Sequence, residues 1–114
     1  MDSFETALKN LGGFHDAYVL EFSIDTSALK LKIRIDDIFS NNEGFPDYAG
    51  PTPATFVFSS VSELTINVES ALDEVRIFDF EVTDERKGSS SAKITFWPAG
   101  RMTFSYGNAE WYQT

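Results

Sequence analysis

The sequence has no cysteine among its 114 residues. That absence excludes disulfide bonds, thiolate metal sites and a cysteine nucleophile together. Since nothing calls for an oxidising compartment, we expect a cytoplasmic protein. Segment 1–14 has acids where a secretory signal needs basic residues, and no stretch approaches the apolar length of a membrane span. We therefore expect neither export nor membrane insertion.

Basic residues are also scarce, at nine Lys and Arg against 18 Asp and Glu, which gives a net charge of −9. Such a field repels nucleic acid and anionic membranes and attracts a basic protein. The same acidity also serves solubility, which is the simpler interpretation of it. The charge therefore favours a basic protein partner and argues against nucleic acid or membrane as a partner.

The sequence lacks the motifs of several enzyme classes. There is no G-x-S-x-G motif, and the glycines do not form a phosphate-binding fingerprint. Acid pairs such as Asp79 with Glu81 are expected by chance among so many acids, so they are weak evidence for glycoside hydrolysis. The acids of segment 36–47 do not match the spacing of a calcium-binding helix–loop–helix. We expect no enzymatic activity, no cofactor and no metal.

Apolar residues make up 42% of the chain, and eleven of them are Phe. This is enough for one core, so we predict a single domain over 1–114. Phe4, Leu8 and Leu11 recur at helical spacing, and Asp2 or Ser3 can cap this helix before Gly12 and Gly13 end it.

After the helix the apolar period changes to two, which predicts strands. A first hairpin places Ile24 opposite Leu29 and Phe22 opposite Leu31, with Glu21 opposite Lys32 on the outer face. Strand patterns return at 54–59, 63–69 and 73–82. In the last of these the buried face switches, which predicts either a bulge or a strand buried on both faces at its middle.

A polar loop is expected at 84–91. A last hairpin around 98–100 follows, with Ile94 opposite Phe104 and Trp97 opposite Arg101, and the tail adds an edge segment. The whole predicts a mainly β fold: about seven antiparallel strands in a meander sandwich or partly open barrel, with one short N-terminal helix.

The long loop 36–53 is the candidate binding site. Its glycines, prolines and asparagines are typical of irregular structure, and long loops in compact domains are often functional. Aromatic anchors with an acidic rim are common in protein interfaces. The candidate residues are Asp36, Asp37, Glu43, Phe45, Asp47 and Tyr48. The alternative is that Phe45 and Tyr48 fold back and close one end of the sandwich.

His15 is the only histidine, and it lies with Asp16 between the helix and the first strand. As a general base it would need an acid to orient it, but neighbouring residues in a strand point to opposite faces. We favour a structural corner in which the imidazole hydrogen-bonds to the backbone.

The helix, the segment LGGFHDAYVLEFSID and the strand LKIRID resemble small bacterial families of uncharacterised β-rich proteins. Some of these families are grouped with immunity proteins of contact-dependent and polymorphic toxin systems. The shared feature is the corner Phe14, His15 and Asp16 before an alternating strand. The resemblance implies a cytoplasmic, non-catalytic binder that neutralises a toxin by masking its active site.

The leading hypothesis is therefore a non-enzymatic protein-binding domain, in its narrower form an immunity-like inhibitor. One alternative is a β-barrel that holds a small apolar ligand among its phenylalanines, although such side chains more often fill the interior. Another is a homo-oligomeric scaffold that self-associates through an open sheet edge or the region of Trp97 and Trp111.

Overall fold

The fold is that of a computed structural model, which describes residues 3–40, 44, 46, 48, 50–69, 71–86 and 89–113. One helix, α1 (Phe4–Asn10), precedes eight strands. The strands are β1 (Val19–Asp25), β2 (Lys30–Ile35), β3 (Ala54–Ser59), β4 (Ser62–Val68), β5 (Arg76–Arg86), β6 (Ser89–Trp97), β7 (Gly100–Tyr106) and β8 (Asn108–Gln113).

The strands form two antiparallel sheets of four, in the orders β1-β2-β3-β8 and β4-β7-β6-β5. This confirms the predicted mainly β class with one short N-terminal helix. The expected edge segment in the tail is the full strand β8, which pairs with β3. Consecutive strands pair within each sheet, except that β4 and β8 join β7 and β3.

Phenylalanine rings from both sheets and from α1 make up the core. The Phe4 ring of α1 lies 5.4 Å from Phe56 and 5.5 Å from Phe80, while Phe58 of β3 lies 4.8 Å from Phe104 of β7. Each such side chain contributes about 1.5–3 kcal/mol on burial. These rings therefore pack the helix against both sheets and fill the interior between them.

The helix begins and ends as its sequence predicts. Ser3 is the N-cap, and its hydroxyl accepts the Thr6 N–H at 3.2 Å. Leu11 is the C-cap, and Gly13 beyond it has φ +70°, which glycine adopts without strain. The Tyr106 hydroxyl donates to the Glu5 carboxylate at 3.0 Å, which fastens the helix to β7.

The first hairpin has a different register from the predicted one. Ile24 lies opposite Leu31 and Phe22 opposite Ile33, and Glu21 lies opposite Arg34 instead of Lys32. The turn is longer than expected because the Asp25 carboxylate accepts the N–H groups of residues 27 and 28 and organises the turn itself. A shift of two residues keeps Glu21 and Phe22 on the faces that the alternating pattern predicts, so that pattern alone did not reveal the shift.

The last hairpin has the same kind of register error. Ile94 lies opposite Met102 instead of Phe104, and Thr95, not Trp97, lies opposite Arg101. The reason is Gly100, which was expected in the turn. It is the first residue of β7, where it pairs with Val68 of β4.

In the fifth strand the predicted bulge is confirmed, and the predicted loop after it is wrong. The register of β5 on β6 shifts between Ile77 and Asp79, which leaves Phe78 as the extra, exposed residue. The segment 84–91, expected as a polar loop, belongs mostly to β5 and β6, with Asp84 paired to Ser90. An edge strand that extends past the core needs no apolar face, so its sequence resembles that of a loop.

Candidate functional site

Asp37, a candidate of the long loop, is buried within the loop's own hydrogen bonds. Its side chain is 5% exposed, and Oδ1 accepts the N–H groups of Phe39 at 2.9 Å and Thr52 at 3.1 Å. Oδ2 accepts the hydroxyl of Tyr48. One carboxylate therefore connects the beginning, the middle and the end of the loop, and it is not available to a partner.

Asp36 faces the other way, toward the residue before β1. Its Oδ1 accepts the Tyr18 N–H at 2.8 Å, and its own N–H donates to the Tyr18 carbonyl at 3.0 Å. Burial raises the pKa of the Asp36 carboxyl, against the opposing effect of the Tyr18 N–H. The long loop thus begins beside Tyr18. The remaining candidates, Glu43, Phe45 and Asp47, lie outside the described residues.

At the corner between helix and sheet, His15 is bonded to the backbone of β5. Nδ1 lies 2.7 Å from the Phe78 carbonyl oxygen, which only accepts, so Nδ1 is the donor. The expectation that His15 and Asp16 diverge is wrong, since Nε2 lies 3.6 Å from Asp16 Oδ1. The strand rule fails here because Asp16 has φ +71° and is not extended.

This corner also joins the two sheets. The Asp16 N–H donates to the Ile77 carbonyl and the Ile77 N–H to the Ala17 carbonyl, both at 2.8 Å. The Val19 N–H donates to the Val75 carbonyl at 2.9 Å. The start of β1 therefore lies against the start of β5, so side chains from the two sheets become neighbours on one surface.

Three residues on that surface form what we call the Tyr18–Arg76–Trp97 row. Tyr18 forms an antiparallel bridge with Arg76, and Arg76 lies opposite Trp97 in the β5–β6 ladder. Residues opposite each other in a ladder point to the same face, so the three side chains lie side by side. Tyr18 is 39% exposed and Trp97 is 49% exposed, so both rings face solvent.

Arg76 has unusual bonding for an arginine in so acidic a chain. Its guanidinium carbon lies 5.3 Å from the centre of the Tyr18 ring, in cation–π range. Its Nε is buried and has no hydrogen-bond partner among the described residues. The contacts between basic and acidic side chains in the described part of the chain are His15 with Asp16 and Lys32 with Glu21, so no described carboxylate pairs with Arg76.

Sequence reasoning missed this row. The alternating pattern of the first strand predicts a buried Tyr18, and the apolar run around Arg76 predicts only a strand. The pattern of the last hairpin predicts that Trp97 lies on the outer face, opposite Arg101. The association of Tyr18 with Arg76 depends on contact between two distant segments, for which a single sequence holds no signal.

An apolar groove opens at the far end of the β1–β2 hairpin. Its volume is about 200 Å³, and its apolar lining includes Ile24, Leu29, Val61 and Leu64, with Leu31 beneath them. Sites for small organic ligands usually enclose roughly 300–1,000 Å³. The groove is therefore smaller than a usual small-ligand site, and core rings such as Phe58 and Phe104 pack on one another.

Two further kinds of feature are absent from the described residues. No three His, Cys, Asp or Glu side chains of that part of the chain lie close enough together to hold a metal ion. No helix there is both long enough and apolar enough to cross a membrane.

Comparison with known proteins supports the fold and nothing finer. No family model matches the chain, and no curated protein matches it. Its fold is similar to the crystal structure of an uncharacterized protein from Neisseria gonorrhoeae, with a TM-score of 0.59 and 12% sequence identity. The match covers 86% of this chain and 91% of the other.

Proposed function

We propose that this chain is a non-enzymatic protein-binding domain and that its binding surface is centred on the Tyr18–Arg76–Trp97 row. The observation that carries the proposal is the composition of the row. Trp, Tyr and Arg are the residues most enriched among those that dominate the free energy of protein association. Here the three are adjacent, and two of them present large rings to solvent.

The fold holds the backbone of these three residues in place before a partner arrives. Tyr18 is bonded through its backbone to Asp36, and Arg76 and Trp97 lie opposite each other in a sheet. A surface that is already ordered loses little conformational entropy on binding, which leaves more of the contact energy as affinity. A row on strands is therefore a better binding surface than the same residues on a loose loop.

The partner is basic overall in this proposal. The net charge of −9 attracts a basic protein from a distance and accelerates its association. Asp36, bonded to Tyr18, places part of the acidic long loop next to the row. Asp36 therefore contributes an acid to the rim of the surface, while Asp37 bonds Phe39, Tyr48 and Thr52 within the loop.

The narrower form of the proposal is an immunity-like inhibitor that covers the active site of a toxin. It is supported by the resemblance carried by Phe14, His15 and Asp16 and by the acidity of the chain. The same corner holds β1 against β5 and so builds the row. A basic enzyme such as a nuclease is the class of target that the charge fits.

Affinity capture with variants tests the proposal. Tagged protein is incubated with extract of the cells that produce it, and retained proteins are identified by mass spectrometry. The matched control is Tyr112→Ala, since Tyr112 is 45% exposed on the outer face of the other sheet. We expect one partner with wild type and with Tyr112→Ala, and at least about tenfold less with Trp97→Ala. Retention that is equal for both variants would place the binding surface elsewhere.

A further inference from the structure

We infer that Arg76 is a receptor for a carboxylate of the partner, an Asp or Glu side chain or a C-terminus held against the Tyr18 and Trp97 rings. This inference rests on the proposed function, and it names the chemical group that the surface recognises. It starts from the incomplete bonding of Arg76, not from exposure alone.

The Arg76 guanidinium lies beside the Tyr18 ring and has an N–H group without an acceptor among the described residues. Its contact with the Tyr18 ring satisfies no N–H group, and its Nε has no acceptor among the described residues. Arg76 as a whole is only partly buried, and Nε alone among its nitrogens is both buried and unbonded. The Nη groups are therefore the accessible donors, and they offer the fork that a carboxylate accepts through two parallel hydrogen bonds.

The protein's own acids do not fill this role in the described part of the chain. Asp36 lies beside Tyr18, and its Oδ1 accepts the Tyr18 N–H. Asp79 of the same strand lies beyond the bulge, opposite Thr95. Acids outnumber Lys and Arg by 18 to nine, so an arginine without one in such a chain is unexpected. An external carboxylate would accept hydrogen bonds from the accessible Nη groups.

The flanking rings and the charge narrow the class of partner. A single guanidinium balances one negative charge, whereas a nucleic acid or anionic membrane presents many to a chain of net charge −9. A partner packed on the Tyr18 and Trp97 rings would exclude water around the guanidinium and so strengthen a charge-assisted hydrogen bond. A carboxylate on a protein surface, with apolar atoms beside it, fits both features.

Nuclear magnetic resonance titration of the whole, isotope-labelled protein tests the inference with benzoate as the probe. Benzamide is the matched neutral control at equal ionic strength. We expect saturable shifts with benzoate at the amides of Tyr18, Arg76 and Trp97, and binding about tenfold weaker with benzamide, as the loss of a charge-assisted bond predicts. Arg76→Met should abolish the benzoate response, and Arg34→Met, at an exposed arginine of the other sheet, should leave it unchanged.

Any of three results would overturn the inference: benzamide binds as tightly as benzoate, the benzoate response persists in Arg76→Met, or benzoate causes no saturable shift. These outcomes are separate from the failure of the proposed function. If the partner is lost with Trp97→Ala while benzoate does not bind, the binding domain stands and the carboxylate receptor falls. If benzoate binds but no partner depends on Trp97, the proposed function falls.

Discussion

The guanidinium carbon of Arg76 lies 5.3 Å from the centre of the Tyr18 ring, and the same two residues form the backbone bridge between the edges of the two sheets. Tyr18 precedes β1 of one sheet, and Arg76 begins β5 of the other. The contact that completes the sandwich along this edge therefore also creates the proposed binding surface.

If the Nε of Arg76 is unbonded in the free protein, Arg76→Met should fold without penalty. Leaving a buried donor unbonded costs about 1–3 kcal/mol, whereas the cation–π contact that Met gives up stabilises by about 0.5–2 kcal/mol. We expect the free energy of unfolding, measured by urea denaturation, to stay within about 1 kcal/mol of wild type. A markedly larger loss would mean that the N–H groups of Arg76 have hydrogen-bond acceptors within the protein, which would contradict the free donors described above.

Asp37 should be the most sensitive residue of the long loop. Asp37→Ala leaves the Phe39 and Thr52 N–H groups without their acceptor, so the free energy of unfolding should fall by about 2–4 kcal/mol. Asp37→Asn is the control, because its amide oxygen can still accept at the Oδ1 position, and it should cost less. Tyr48→Phe removes one hydrogen bond and should cost about 1 kcal/mol. If urea denaturation shows a larger loss of unfolding free energy for Tyr48→Phe than for Asp37→Ala, Asp37 does not organise the loop.

Asp36 should make stability fall as pH rises through the acid range. Burial raises its pKa in the folded protein above the ordinary value of 3.8, so the folded state binds more protons than the unfolded state in that window. Its contribution to the free energy of unfolding is therefore largest below 3.8 and is lost as pH rises through the folded pKa. Asp36→Asn retains an acceptor for the Tyr18 N–H and should remove this decline.

The check is a series of urea denaturations of wild type and Asp36→Asn from about pH 3 to about pH 7, compared as a difference. Asp25 serves as an internal control, because its contribution to stability changes with pH in the opposite direction and is present in both proteins. Hydrogen bonds from the Ala28 N–H and the Ser27 hydroxyl lower its pKa, so its contribution is lost in the opposite direction, as pH falls below 3.8. A wild-type curve parallel to that of Asp36→Asn would refute the assignment to Asp36.

Gly100 should tolerate no side chain, for a reason beyond its φ of +119°. A Cβ there would lie 2.5 Å from the backbone oxygen of Asn67, which the sheet holds in place. Gly50 has φ +100° with nothing within 4 Å of its Cβ position, so Gly50→Ala isolates the cost of backbone strain. We expect a loss of about 1 kcal/mol for Gly50→Ala and about 2–4 kcal/mol for Gly100→Ala by urea denaturation. Equal losses would mean that β4 yields to the added carbon.

Much of the fold could be predicted from the sequence because it depends on local periodicity. The helix from Phe4 follows from its apolar stripe and its Ser3 cap, and β3 has the predicted bounds 54–59. The bulge near Phe78 follows from the change of buried face within β5. In each case neighbouring residues carry the whole signal.

Register and the binding surface were not predictable in the same way. Both hairpins differ from prediction by two residues, because such a shift changes partners without changing faces. Asp25 and Gly100 decide the two registers through a turn and a close approach that exist only in the folded chain. The bonding of Arg76 likewise depends on which segments meet at the sheet junction.

Site-specific photo-crosslinking tests the central claim most directly. A benzophenone-bearing residue is placed at position 97, or at position 112 as the control, and each protein is irradiated in the cells that produce it. The account predicts a discrete crosslink to one basic protein from position 97, its loss when Arg76→Met is added, and none from position 112. Three results would contradict the Tyr18–Arg76–Trp97 row as the binding surface. They are crosslinking from position 112 alone, equal crosslinking from both positions, and a crosslink from position 97 that Arg76→Met does not reduce.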